Sequence, residues 1–195
     1  MDAIVGIWKP TGWTSFDVVK KIRGYVRPSK VGHAGTLDPF AEGVLVLCIG
    51  KMPKKVESLM DCEKEYIATV KLGEQTDTLD TKGKIVKTKA IPEDVNEEKV
   101  LSVLEKFIGE IDQIPPMYSA LHVNGKRLYE LARKGETIER KARKVNVKQI
   151  DLLAFNTNEI KIRITCGRGT YVRALARDIG RELNTVGFLT SLTRT

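Results

Sequence analysis

The sequence predicts an α+β fold, a single domain with a mixed, largely antiparallel sheet flanked by helices. Three observations lead there. The 195 residues are close to one domain of about 150, and no repeat, low-complexity tract or Gly/Ser- or Pro-rich linker divides them. An apolar content of 42% can fill a core, while 30% charged residues suit a solvated surface. Segments of strand character outnumber helical ones and often follow one another without a helix between, which argues against a doubly wound sheet.

Taken in order, Ala3–Trp8 reads as a strand. A helix follows over Ser15–Val26, with Thr14 or Ser15 as cap and Val18, Val19, Ile22 and Val26 on one face. Residues 28–39 form a loop dense in Gly, Pro and polar groups. The continuous apolar run Val44–Ile49 marks a buried strand, and Lys54–Met60 a short helix. Tyr66–Leu72 and Lys84–Thr88 read as strands around Gly73–Gly83, a loop or hairpin connection. Glu97–Ile108 is an amphipathic helix with Val100, Leu101, Leu104 and Ile108 inward. Tyr118–Val123 is a strand, Arg127–Arg133 a helix, and Val145–Phe155 and Ile160–Cys166 two further strands. Thr170–Leu183 is the clearest helix, with Val172, Leu175, Ala176, Ile179 and Leu183 at helical spacing, and a strand near Val186–Leu192 closes the chain.

Several function classes drop out. The longest nearly uncharged apolar run, Val44–Ile49, is far below the roughly 20 residues that span a bilayer. Asp2 and then Lys9-Pro10 stand where a signal peptide would need apolar residues. Cys48, Cys62 and Cys166 are isolated, with no CxxC pair, so neither a disulfide frame nor a zinc site is expected. A reduced, cytoplasmic setting and no membrane partner follow. The net charge of +8 is unevenly laid, an acidic middle stretch lying between two basic ones. That is how a chain with one polyanion-facing side can read, and a lysine-rich solvated surface reads the same way.

Four segments are candidates for chemistry. In Gly32-His33-Ala34-Gly35-Thr36-Leu37-Asp38-Pro39, two glycines and a proline fix an irregular backbone. One carboxylate lies there between Lys30 and His33 on one side and a buried strand on the other. Asp-Pro is also a common turn and a lone histidine is often structural. The loop stands out as a stiff, polar connection entering a core strand. In Cys166-Gly167-Arg168-Gly169-Thr170-Tyr171-Val172-Arg173 a strand ends, Thr170 caps a helix and Arg173 lies in its first turn. Such a helix start can hold an anion, or be a plain turn with solvated arginines. Tyr66, in Lys64-Glu65-Tyr66, is an aromatic at the head of a strand that can stack a base or fill the core. Pro115-Pro116-Met117-Tyr118-Ser119-Ala120, Gly125-Lys126-Arg127 and Tyr129-Glu130 mix rigid turns, aromatics and cations in a way that suits RNA. No Walker loop, HExxH or GxSxG is present, and with only His33 and His122 as histidines no metal site is expected.

Taken together and in order, these segments resemble the TruB family of tRNA pseudouridine synthases. The resemblance runs from Trp8-Lys9-Pro10-Thr11-Gly12-Trp13-Thr14-Ser15 through the Asp38 loop, Lys64-Glu65-Tyr66, Leu72-Gly73 and Thr76-Asp77-Thr78-Leu79-Asp80. It continues through Pro115–Ala120, Gly169-Thr170-Tyr171-Val172-Arg173 and Gly187-Phe188-Leu189, nearly the whole chain. It implies a pseudouridine synthase-like fold and, as substrate, the T-loop uridine of tRNA (position 55), with the T-arm stem-loop as partner. Asp38 matches the family's catalytic aspartate, Tyr66 its base-stacking tyrosine and Arg173 the arginine that pairs with the aspartate. His33 matches a histidine that helps hold the T-loop, with Gly35 and Thr36 beside it as substrate-binding positions. Lys9 and Pro10 match the N-terminal pocket motif, and Leu189 a leucine lining the pocket. His122 stands where lysine is more usual. The family usually continues into a small C-terminal RNA-binding domain of the PUA type. Residues 1–195 would then be the catalytic domain, with that second domain absent or cut short, and we expect a monomer.

The residue types suit the reaction. Isomerising uridine to its C-glycoside breaks N1–C1′, turns the base and joins C5 to C1′, with no redox change, metal or cosubstrate. One carboxylate can serve as nucleophile, at C6 of the base or at C1′ of the sugar. An arginine fork holds that carboxylate ionised and aimed. A uridine in a folded loop must be extruded, and an aromatic platform receives it. The alternative is a non-catalytic RNA-binding or RNA-folding module on the same scaffold, which would tolerate loss of Asp38 or Arg173.

Overall fold

The computed structural model describes residues 2–51, 53–123 and 125–195. Among them the elements follow as β1 (Ala3–Lys9), α1 (Ser15–Tyr25), β2 (Val31–His33), β3 (Glu42–Ile49), α2 (Pro53–Asp61) and β4 (Lys64–Leu72). Then come β5 (Glu74–Thr76), β6 (Ile85–Thr88), α3 (Glu97–Glu105), β7 (Gly109–Gln113), β8 (His122–Val123), β9 (Lys126–Arg127) and α4 (Leu128–Arg133). The chain closes with β10 (Arg143–Asn156), β11 (Glu159–Cys166), α5 (Val172–Glu182) and β12 (Gly187–Arg194).

One sheet has the strand order β1-β3-β12-β4-β11-β10-β7, with β2 added against β3. Its neighbours pair antiparallel except at one seam. There β12 runs parallel to β3, in register only at Thr193 with Glu42 and Arg194 with Gly43. The expected mixed, largely antiparallel α+β sheet is what forms. The seam divides a small half (β1, β2, β3) from a larger one, and the chain passes from the first to the second between β3 and β4, while the Asp38 loop joins β2 to β3 within the small half.

Local chemistry explains the helices. Thr14 caps α1 through a reciprocal box: its hydroxyl accepts from the Asp17 N–H at 3.1 Å, and the Asp17 carboxylate accepts from the Thr14 N–H at 2.8 Å. Val18 and Val19 then pack on Leu45 and Leu47 of β3. The main core joins Val100 and Leu104 of α3 and Leu175 and Ile179 of α5 to Ile160, Ile162 and Ile164 of β11. Burying each such side chain contributes roughly 2 kcal/mol. Packing of this kind holds α5, whose first residue has no side-chain cap of its own. The expected cap at Thr170 does not form. Gln113 at the end of β7 takes its place, accepting from the Tyr171 N–H at 2.8 Å and donating to the Tyr171 carbonyl at 3.2 Å.

Three expectations are corrected. The α3 helix stops at Glu105, and Gly109 turns the chain at φ +100° into β7, which pairs with β10. Ile108 is therefore 43% exposed, and Val103 takes the inward place expected of Leu101. Tyr118–Val123 is not a strand beyond His122–Val123. The Ser119 and Leu121 carbonyls instead accept from the Tyr129 and Leu128 N–H groups at the start of α4, after Pro115 and Pro116, which supply no ladder donors. The side chains of Lys126 and Arg127 lie outside the described residues.

The seam rests on Gly43. At φ +115°, a Cβ there would sit 2.1 Å from the Arg194 carbonyl oxygen and 2.6 Å from its nitrogen. Gly43→Ala is expected to lose about 2 kcal/mol or more of stability in a urea titration. A variant as stable as the parent would show that β3 and β12 do not meet there.

Candidate active site

A cleft of about 680 Å³ opens where the two halves of the sheet meet, within the roughly 300–1,000 Å³ of ordinary ligand sites. The β2–β3 connection supplies Gly35, Thr36 and Asp38, β4 supplies Tyr66, and the first turn of α5 supplies Arg173. Tyr118, Tyr129 and Tyr171 add aromatic surface, and Lys64, Lys82, Arg133 and Arg168 line it with positive charge.

At its centre is an ion pair. Arg173 Nε donates to Asp38 Oδ2 at 2.8 Å and Nη2 to Asp38 Oδ1 at 3.0 Å, a two-pronged grip that fixes the carboxylate plane. The guanidinium is 4% exposed. Its other hydrogens reach the Thr78 carbonyl at 2.7 Å and the Tyr118 carbonyl at 2.9 Å, and Asp80 Oδ2 lies 3.7 Å from Nη1. Asp80 is itself fixed, accepting from the Thr78 hydroxyl at 2.7 Å and the Lys82 N–H at 2.9 Å. The Asp38 side chain keeps 31% exposure, so the held carboxylate faces the cleft. Tyr66 stands beside it, its phenol pushed above the ordinary value by burial.

The other expected site residues lie outside the cleft lining. Lys9 is fully buried, and its ammonium donates to the carbonyls of Pro10 at 3.0 Å, Trp13 at 2.8 Å and Ala41 at 2.5 Å. Burial pulls its pKa below the usual lysine value, with the Asp38 and Glu42 charges working against that fall. Pro10 is exposed, its ring leading into the turn that Lys9 ties. His33, on β2, is half-buried, and desolvation lowers its pKa. Leu189 is buried in the core. Leu192 lines the cleft instead, because a bulge between Leu189 and Ser191 shifts the strand.

The first fifteen residues buttress the Asp38 loop from below. The Ser15 hydroxyl donates to the Leu37 carbonyl at 3.1 Å and accepts from the Leu37 N–H at 2.9 Å. The Gly12 N–H donates to the Pro39 carbonyl at 2.7 Å, and Lys9 holds Ala41. Three fastenings therefore bracket Asp38 in sequence. Reading residues one at a time missed Thr78, Tyr118, Asp80 and Arg194. The first two act through backbone carbonyls, which carry no side-chain signal, and Asp80 was seen only as part of a motif. Arg194 lies past Leu192, near which the sequence ends the last strand, whereas β12 runs on to Arg194.

Comparison with known proteins places the chain in a family. The family described as TruB family pseudouridylate synthase (N terminal domain) matches residues 23–172. The tRNA pseudouridine synthase B of Phocaeicola vulgatus is 51% identical over 193 residues, covering 96% of this chain and 82% of its own. The chain belongs to the TruB family. The tRNA pseudouridine synthase B of Clostridium kluyveri is 46% identical over 194 residues, covering all of this chain and 66% of its own. This TruB-family chain thus spans about two thirds of the length of such relatives. Among solved structures, a chain of a Cbf5-Nop10-Gar1 complex superposes with a TM-score of 0.74 at 30% identity, over 98% of this chain and 47% of the other. A chain of an H/ACA RNP bound to a substrate RNA containing 2′-deoxyuridine gives 0.71 at 28%, over 98% and 46%.

The Lys9 fastening has a measurable weight. Lys9→Met keeps the stem and leaves three carbonyls without their cation, so a loss of about 3 kcal/mol is expected in equilibrium unfolding. A loss below about 1 kcal/mol would mean that those carbonyls are satisfied some other way.

Proposed function

We propose that the chain is the catalytic portion of a tRNA pseudouridine synthase that isomerises a uridine in the T-arm stem-loop of tRNA. The observation that carries the proposal is the two-pronged Arg173–Asp38 pair at 2.8 and 3.0 Å in an aromatic-walled cleft. The cleft's cationic lining suits phosphates, which position an RNA without reading its sequence. Relatives at 46% and 51% identity carry the name tRNA pseudouridine synthase B.

In this reading a flipped uridine enters the cleft and stacks against Tyr66. Asp38, its carboxylate aimed by Arg173, attacks at C6 of the base or at C1′ of the sugar. The N1–C1′ bond breaks, the base turns, and C5 bonds to C1′. The aspartate is released, the proton on C5 leaves to a base or to water, and N1 takes up a proton in its place. Atoms are conserved throughout, so the residues on hand supply nucleophile, electrostatic support and platform.

The test is release of tritium from T-arm RNA labelled at C5 of uridine, since that hydrogen must leave when C5 joins the sugar, with pseudouridine in the recovered RNA as the matching product. Asp38→Asn is expected to reduce the release rate by roughly a thousandfold or more, with RNA affinity within a few-fold of the parent. A rate within about tenfold of the parent would overturn the role of Asp38.

Arg173→Lys keeps the charge but loses the planar fork, so it too is expected to be strongly impaired. Because the two residues act as a unit, the double variant should be little slower than either single one. Clean additivity of the two losses in the same assay would contradict the paired geometry.

A further inference from the structure

Arg194 takes no part in the Asp38 pair, yet it is built into the cleft wall as firmly as Arg173. It is 5% exposed. On β12 it stands opposite Tyr66 of β4 on one side and Gly43 of β3 on the other. Residues directly opposite in an antiparallel pair project to the same face, with Cβ atoms about 5 Å apart. Guanidinium and phenol therefore share the cleft face, and both line it.

The side chain is held along its length. Gly43 has no Cβ, which lets the Arg194 backbone close onto β3, and Nε donates to the Val44 carbonyl at 2.7 Å. Gly35 passes over the far end, where a Cβ would come 3.6 Å from Nη1. Nη2 is buried with no hydrogen-bond partner among the described residues. A buried cation with an open donor is costly unless its charge acts on something. The neighbour it acts on is Tyr66: burial pushes the phenol up, and the charge of Arg194 opposes that rise. The other titratable groups bearing on the phenol are Cys166 of β11 and Asp38, and both push it further up. Arg194 is the cation that offsets them.

We propose that Arg194 is the positioning residue of Tyr66, fixing the phenol oxygen in the cleft beside Asp38 and supporting negative charge on it during the isomerisation. The proposal rests on the pseudouridine synthase reading for its catalytic consequence. The effect on Tyr66 itself needs no substrate.

Two measurements separate these parts. Protein grown with a ring-fluorinated tyrosine, whose phenol ionises at lower pH than tyrosine's, is titrated by fluorine NMR in the absence of RNA. Tyr66→Phe identifies the resonance. In Arg194→Met the Tyr66 phenol is expected to be about tenfold weaker as an acid than in the parent, and Arg194→Lys is expected to restore part of the difference. Thermal melting reports whether each variant folds, and Arg194→Lys carries the comparison if Arg194→Met does not. An unchanged Tyr66 midpoint in folded variants would overturn the proposal, as would a parent in which Tyr66 never titrates. The second measurement is single-turnover tritium release at saturating T-arm RNA. The rate is expected to fall about tenfold in Arg194→Met with RNA affinity within about threefold of the parent. Weakened affinity at an unchanged rate would make Arg194 an RNA contact and overturn the positioning role. If the parent releases no tritium, the pseudouridine synthase reading fails, while the fluorine titration still decides whether Arg194 governs Tyr66.

Discussion

The interaction on which the rest depends is the desolvation of one guanidinium. Arg173 is 4% exposed, and removing such a cation from water costs several kcal/mol unless its hydrogens are met and its charge balanced. The cation and the groups that meet it come from four places in the chain. The β2–β3 connection brings Asp38, the turn after β5 brings Thr78, the loop after β7 brings Tyr118, and α5 brings the arginine itself. No local segment can satisfy that cation alone. The site is therefore assembled by the same long-range packing that closes the sheet, and the residue that completes it is placed by α5. Gln113 of β7 grips the backbone where that helix begins.

The seam between β12 and β3 gives the cleft its location. Two registered residue pairs join the halves of the sheet, and the Asp38 loop, Tyr66 and Arg194 all lie around that junction. A broad, regular pairing would have left no space there. A parallel contact this brief lets the strands diverge beyond it.

Much of this was legible in the residues. Helical spacing located α1 and α5, since each packs one apolar stripe, and apolar runs or alternation located β1, β3, β4, β10 and β11. Asp38, Tyr66 and Arg173 were found as parts of ordered motifs, and the fold places them together. What escaped was set by partners distant in sequence. β7, reading GEIDQ, has little strand character and exists because β10 offers it a ladder. Leu189 and Leu192 cannot be ranked without knowing that a bulge lies between them. The work of Lys9 is invisible in sequence because all three of its acceptors are main-chain carbonyls. Arg194 becomes distinct only when cross-strand register sets it opposite Tyr66.

The three fastenings beneath the Asp38 loop bear on how an RNA would meet this surface. Ser15, Gly12 and Lys9 hold the backbone at Leu37, Pro39 and Ala41 within the folded protein. The chain entropy of that loop, about 1–2 kcal/mol for each residue fixed, is thus surrendered during folding and not at the encounter. In the proposed function, the conformational work of association would be left to the nucleic acid, which would have to unstack and swing out a base to reach the carboxylate. In such a division of labour the slow coordinate would belong to the ligand, with the pace of productive engagement set by how readily the loop of the RNA opens.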